Sequence, residues 1–305
     1  MQDTLFVVNP RAASGRAARV WSSLCDRIPS LRSATLVQCG DAATASAAIR
    51  AGLTPKVRRV VALGGDGTLH CVLNALLHES PSPAPGIGLI PAGTGSDLAR
   101  CLRLETRPEH ALAQAMEAAP MPLDVLRLSS AASGTPARYI VNEASLGLST
   151  QVAARINALA QRNSASYLSA TLRELVNYRP QWARIHLDGV LWREGYFYLV
   201  MVANGSHFAK GMGLAPRANP RDGLADVVAV EAASKALTLA WLPSIYFGKH
   251  LAAPFVHFAR AGSIAIETGA QSAALEGDGE PLPATPIKLT VLPGAVSFCG
   301  GALKS

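Results

Sequence analysis

The sequence predicts two fold classes in one chain: an α/β half followed by an all-β half. Three observations carry this reading. Strand-like and helix-like segments alternate up to residue 128, period-2 patterns dominate beyond it, and glycine-rich turns follow the apolar runs ending at Leu63 and Ile90. Short apolar strands alternating with helices imply a parallel sheet covered by helices on both faces, a three-layer domain. The expected boundaries are 1–128 for this domain, with the tail 287–305 as a candidate completing element. Residues 129–286 are expected to form an antiparallel, β-sandwich-like domain.

The elements follow in order. Residues 4–8 are a β-rich run, with a Gly/Ser/Ala loop and a helical stretch to about residue 28 behind it. A strand at 35–38 precedes an Ala-rich helix at 42–51. The strand at 59–63 breaks at Gly64-Gly65, and apolar residues recur at helical spacing over 69–77. A short buried strand at 87–90 breaks at Pro91, with helices at 96–102 and 108–118. Segments 81–85 and 129–137 are loops. Period-2 runs then occupy 138–141, 183–187, 190–202, 224–230, 263–267 and 287–291. Asp188-Gly189 joins two of them as a hairpin turn, since glycine accepts the positive φ that a primed turn requires. Helical stretches are expected at 148–177 and 234–260.

Composition narrows the function. The 305 residues are 49% hydrophobic and 16% charged, which excludes disorder. No apolar run reaches the roughly 20 residues of a membrane-spanning helix, and the first apolar run is too short for a signal peptide, so a cytoplasmic chain is expected. Five scattered cysteines without a CxxC pair, and seven histidines without HExxH, argue against a disulfide framework or a zinc site. Lys and Arg number 28 against 21 Asp and Glu, a net charge of +7 that suits anionic partners. Dispersed arginines and only 6% aromatic residues argue against nucleic acid.

Three loops carry the chemistry. Gly64-Gly65-Asp66-Gly67-Thr68 follows a buried strand and opens a helix, so backbone N–H groups and the helix N-terminus can meet a phosphate. Asp66 there would repel phosphate unless a cation lies between them, which points to a Mg²⁺-nucleotide. Pro91-Ala92-Gly93-Thr94-Gly95-Ser96-Asp97 repeats the arrangement after the next strand. Asn9-Pro10-Arg11-Ala12-Ala13-Ser14-Gly15 follows the first. Loops leaving the carboxyl ends of parallel strands line one crevice.

These loops resemble the catalytic domain of diacylglycerol kinases, and soluble bacterial lipid kinases related to sphingosine and ceramide kinases. Further matches are Asn142…Gly147, Asn204-Gly205, Gly211-Met212-Gly213, Pro216, Asp222-Gly223-Leu224…Asp226 and Gly277-Asp278-Gly279-Glu280. His70-Cys71 stands where the family has Asn-Glu, and Ser96 where it has Asn. The resemblance implies an ATP-dependent phosphotransferase acting on a hydroxyl of diacylglycerol or a related lipid. It implies catalytic roles for Asp66, Asp278 and Glu280, with Glu280 as the base. It also implies Mg²⁺ bound by Asp66, Asp97 and Asp124, and a structural Mg²⁺ at Asp222. Asn9, Ser14, Gly15, Gly64, Gly65, Gly67, Thr68, Gly93, Thr94 and Gly95 would hold the nucleotide.

Such an enzyme meets its acceptor at a membrane surface without spanning it. The aromatic and cationic segment 241–258 is a candidate contact, against its alternative as a core helix. GTP as donor and a homodimer are compatible with the same residues. An NAD kinase-like small-molecule kinase and a non-catalytic nucleotide or lipid sensor are the competing readings.

Overall fold

The computed structural model describes residues 3–39, 42–79, 84–93, 95–130, 135–157, 164–209, 211–269 and 272–301. The chain forms two compact units, residues Met1–Leu123 with Gly294–Ser305, and residues Asp124–Pro293.

The first unit contains β1 (Thr4–Val8), α1 (Ala12–Arg27), β2 (Thr35–Gln38), α2 (Ala42–Gly52), β3 (Arg59–Gly64), α3 (Asp66–Glu79), β4 (Gly86–Pro91), α4 (Asp97–Cys101) and α5 (Pro108–Glu117). The sheet order is β2-β1-β3-β4, all parallel, and the end of the last strand of the chain adds beside β4 through Phe298 and Cys299. Every residue of β1 is buried, as expected of an inner parallel strand covered on both faces. α1 packs with α5, and α2 with α3. Right-handed crossovers put these two pairs on opposite faces.

The second unit starts within β5 (Pro120–Ser130). It continues through β6 (Arg138–Ile140), β7 (Glu143–Gly147), α6 (Leu148–Asn157), α7 (Ser164–Asn177), β8 (Gln181–Leu187), β9 (Val190–Ala203), β10 (Ala225–Glu231), α8 (Lys235–Trp241), β11 (Val256–Ala261), β12 (Ser263–Thr268), β13 (Leu275–Gly277), β14 (Glu280–Leu282) and β15 (Ile287–Cys299). Its pairings are antiparallel: β14-β13-β7-β9-β8-β12-β15, with β10 between β9 and β11. β9 pairs through its first half with β8 and through its second half with β7 and β10. Alternate residues such as Val200, Val202, Val227 and Ala229 fill the core, together with Ile264, Ile266, Leu275 and Leu289. The β8–β9 turn is the one the sequence signals, with Asp188 at φ 50 and Gly189 at φ 85.

The expected helix over 234–260 is corrected. α8 stops at Trp241, two 3₁₀ turns follow at Leu242–Phe247 and Lys249–Ala252, and Val256–Ala261 is a strand. Pro243 and Pro254 lack the helical donor, and Gly248 sits at φ 66, so the helix cannot propagate. The register pairs Arg260 with Asp226 and Phe258 with Val228. The expected loop 81–85 and helix 148–177 lie partly outside the described residues. Among the described residues, no helix is long and apolar enough to cross a membrane.

Candidate phosphate-binding site

In the first unit, three strand-to-helix loops build the candidate site. After β1, the Asn9 N–H donates to Leu63 O at 3.2 Å, and Asn9 Oδ1 accepts the Arg11 N–H at 3.0 Å. Ala13, Ser14 and Gly15 then adopt φ of 49°, 55° and 84° before the helix proper. Left-handed backbone costs a non-glycine residue about 1–2 kcal/mol, so Ala13 and Ser14 are held there by their surroundings.

The loops after β3 and β4 interlock. The Ala92 and Gly93 N–H groups both donate to Gly64 O, at 2.8 and 2.9 Å. A Cβ on Gly93 would lie 2.4 Å from Gly65 Cα and 2.8 Å from Gly65 N, and one on Gly64 would lie 2.2 Å from Thr68 Oγ1. No side chain fits at these positions. Thr68 is buried against Gly64, and its N–H with that of Leu69 closes on Gly65 O, which starts α3. Gly67 is the second residue of α3. The helix N-terminus therefore opens beside two bare backbones, a setting that favours an anion.

Asp66 joins the two loops. Its Oδ2 accepts the Asp97 N–H at 3.0 Å and its Oδ1 the Leu98 N–H at 3.4 Å, so a side chain on α3 caps α4. Gly95 stands close by: a Cβ there would be 3.1 Å from Asp66 Oδ2. Asp97 is itself buried, with Oδ1 receiving Arg100 Nη1 at 2.7 Å. Asn9, Ser14, Gly15, Gly64, Gly65, Asp66, Gly67, Thr68, Gly93, Gly95 and Asp97 thus all belong to these loops or the helix starts behind them. Thr94 lies outside the described residues. His70 is buried inside α3, 3.2 Å from Asn74 Nδ2, and is not a surface histidine.

In the second unit, acidic side chains tie loops together. Asp124 is buried on β5. Its Oδ2 accepts the Gly223 N–H at 2.8 Å, while its own N–H reaches Pro220 O and its carbonyl takes Asn204 Nδ2, each at 2.8 Å. Asp222 accepts the Leu224 N–H at 3.1 Å and is paired with Arg260 Nη2. Arg260 Nε also reaches Asp226 Oδ1 at 3.1 Å. Burial, opposed by this guanidinium, pushes the Asp226 carboxyl up to about 6.

Asp278 occupies the β13–β14 turn at φ 53. It accepts three backbone N–H groups, from Val141 at 3.0 Å, Asn142 at 2.9 Å and Glu143 at 3.3 Å. Glu280 opens β14, opposite Gly277, and is half-buried. Glu276 is buried, with Oε1 accepting Ser145 Oγ at 2.8 Å. Burial pushes its carboxyl up to about 7, and the charge of Asp278 adds to the shift.

The acidic residues of the expected metal set have these partners in the structure. Among the described residues, no three His, Cys, Asp or Glu side chains stand together as metal ligands. Asp66 caps α4, Asp97 faces Arg100, Asp124 holds Gly223, and Asp222 is held by Arg260 and Leu224. At Asp222 the guanidinium of Arg260 stands beside the carboxylate. Sequence reasoning missed Arg260 because its partners are cross-strand neighbours, about 35 residues away along the chain. It also missed Glu276, whose burial no local pattern marks.

The first unit thus presents a candidate phosphate site on a parallel sheet, and the chain continues into an antiparallel β unit. Residues 3–128 match the diacylglycerol kinase catalytic domain, and residues 142–300 the YegS C-terminal NAD kinase beta sandwich-like domain. A Stenotrophomonas maltophilia protein named "Probable lipid kinase YegS-like" is 31% identical over 242 residues, 78% of this chain and 77% of its own length. Two solved chains from Bacillus anthracis str. Sterne superpose with TM-scores of 0.79 and 0.71, at 23% and 19% identity, each covering 98% of this chain and 97% of theirs; the second is described as a diacylglycerol kinase. An Archaeoglobus fulgidus NAD kinase in complex with ATP superposes with a TM-score of 0.52 at 14% identity, covering 98% of this chain and 94% of its own. At those identities the structures show the shared fold. The chain belongs to the YegS-like lipid kinase family. It is a kinase that transfers a phosphoryl group to a lipid alcohol, and the family implies ATP as donor.

Three predictions follow from this geometry. Asp66→Ala removes the α4 cap and lowers stability by about 1–2 kcal/mol, the scale of a lost helix cap, together with most turnover. Asp66→Asn keeps an acceptor oxygen and most of the stability but not the turnover; thermal melts beside activity assays separate the two effects.

At Arg260 the prediction concerns metal removal. EDTA leaves the melting temperature of the nucleotide-free protein unchanged, because Arg260 already pairs with both Asp222 and Asp226. Arg260→Ala costs about 1–3 kcal/mol, less than a fully buried pair because the guanidinium is part-exposed. A melting temperature that drops on chelation in the wild type would contradict this.

Glu276 sets a pH dependence. Its folded-state value of about 7 exceeds the ordinary 4.5, so the folded chain binds more protons between those limits. Its contribution is therefore full below pH 4.5 and lost as pH rises through about 7. Glu276→Gln removes this dependence and raises stability at pH 8 by on the order of 2 kcal/mol. Identical slopes of melting temperature against pH in the two proteins would refute it.

Proposed function

We propose that the chain transfers the γ-phosphate of MgATP to a hydroxyl of diacylglycerol or a related lipid, which it meets at a membrane surface. The observation that carries the lipid acceptor is a cavity of about 100 Å³ in the second unit, with a wall that is almost wholly apolar. α6, α7, α8, the 3₁₀ turns and strands β9 and β10 enclose it, with Val152, Leu175, Met212, Trp241 and Phe255 in the wall. An acyl chain is the ligand such a wall suits.

The Mg²⁺ enters as part of the nucleotide substrate. The Gly64–Thr68 backbone, the Gly93 and Gly95 backbones and the α3 N-terminus hold the phosphates. The acceptor oxygen forms a bond to the γ-phosphorus as the bond to the β-phosphate oxygen breaks, and ADP leaves. A carboxylate takes the hydroxyl proton. Glu280 fits this role better than Asp278, whose oxygens already accept three backbone N–H groups. Asp278 positions the hairpin that carries Glu280.

The surface around the cavity supports contact with a bilayer. α8 and the turn Leu242–Phe247 have no buried residue, and Phe247 is 76% exposed. Leu237, Tyr246, Leu172 and Val176 are exposed on the same group of elements, with Lys235 and Lys249 beside them. Aromatics with flanking cations are the composition of interfacial segments.

The test is incubation with γ-labelled ATP, Mg²⁺ and phosphatidylcholine vesicles carrying diacylglycerol, with and without anionic lipid. Labelled phospholipid is expected, formed faster on anionic vesicles and less so at high salt. Glu280→Gln lowers kcat about 10²-fold or more. Phe247→Ser raises KM for vesicle-borne lipid and spares a water-soluble short-chain diacylglycerol. ATP hydrolysis with no labelled lipid across the panel would overturn the reading.

A further inference from the structure

α1 begins with charge of the unfavourable sign. Its regular turns start after Gly15, because Ala13, Ser14 and Gly15 are left-handed, so Arg16 and Arg19 fall in the first regular turn. The first acidic residue of α1 is Asp26, near its other end. The partial positive charge of a helix N-terminus favours an anion and opposes a cation. Arg16 and Arg19 are both exposed there, and in the nucleotide-free protein they act against the helix. An anion bound at this terminus turns the same charges into a stabilising set.

Arg19 is also directed at the candidate phosphate loop. Helical side chains lean toward the N-terminus of their helix, and Arg19 Nη1 donates to Ser14 O at 3.5 Å. A Cβ on Gly15 would lie 3.4 Å from that nitrogen, so the guanidinium rests against the backbone of the loop. One carbonyl uses few of the N–H donors that a guanidinium carries. Among the described residues no carboxylate pairs with Arg19, whereas Arg100, behind the β4–α4 loop, is paired with Asp97. We infer that Arg19 holds the polyphosphate of the donor nucleotide, its planar fork donating to phosphate oxygens at the Ser14–Gly15 loop. The inference rests on the phosphate-site reading and adds a residue that the motif resemblance does not assign. A guanidinium meets a phosphate with parallel N–H bonds, a geometry that a lysine ammonium lacks.

The experiment titrates the full chain with MgATP by calorimetry, without acceptor lipid, and follows thermal melts of the nucleotide-free protein. Arg19→Gln is expected to weaken MgATP binding about tenfold or more, the scale of a hydrogen bond to a charged group. It also flattens the dependence of that affinity on salt, since a screened charge pair is gone. Arg19→Lys keeps the charge and loses less. The melting temperature of nucleotide-free Arg19→Gln equals that of the wild type or rises, because a cation has left a helix N-terminus. A role confined to bracing the loop through Ser14 O predicts a lower melting temperature and an unchanged salt slope, and that pair of results overturns the inference. Unchanged MgATP affinity in Arg19→Gln also overturns it, while binding by the wild type in the same titration upholds the phosphate site itself. If the wild type binds no MgATP, the phosphate site and the inference fall together.

Discussion

The first unit depends on one close contact between two backbones. Gly65 and Gly93 approach so tightly that a single methyl on Gly93 would overlap Gly65 Cα, at 2.4 Å. Through it the β3–α3 and β4–α4 loops become one rigid surface, bridged by the two N–H groups on Gly64 O and by Asp66 across to α4. A phosphate site needs donors fixed in place before the ligand arrives, since ordering them at the moment of binding would weaken it. The parallel sheet beneath supplies the rigidity and the bare backbones supply the access.

The second unit relies on a different device, buried polar groups that hold loops to strands. Asp124 fastens the 220–224 turn, Asn204 bonds to Asp124 O and Val141 O, and Asp278 gathers the N–H groups of Val141, Asn142 and Glu143. A buried carboxylate is stable only when its lone pairs are met by donors. Here backbone N–H groups and one arginine meet most of them. Two carboxyls, Asp226 and Glu276, are raised by burial, and they make this unit sensitive to pH around neutrality.

The apolar cavity sets these networks in contrast. The strand core of the second unit is closed, with Val200, Val202, Ile264 and Leu289 at or near zero exposure. The cavity opens instead against the helical elements between β7 and β8 and between β10 and β11. Those are the segments with the most exposed aromatic and aliphatic side chains. Packing strength and ligand space are thereby separated within one unit: the sheet carries stability, and the helical flank carries the space.

How much of this is legible in the sequence varies by distance along the chain. Strands of the first unit, the Asp188-Gly189 hairpin and the three glycine loops are local signals, and they stand where hydrophobic period and turn chemistry place them. The family is legible from the same motifs. The helix over 234–260 is not, because aromatic and cationic residues at Trp241–His250 suggest a helix while Pro243, Gly248 and Pro254 break it. The role of Asp66 as a cap on α4 depends on a partner 31 residues away, and that of Asp278 on N–H groups 135 to 137 residues away. Arg260 beside Asp222 and Asp226 depends on strand register. The sequence by itself determined residue chemistry, element periods and turn positions, because those rest on local backbone sterics and side-chain alternation. Only the tertiary structure decided which donor meets which carboxylate and where an apolar wall encloses space, because both are set by contacts between segments far apart in the chain.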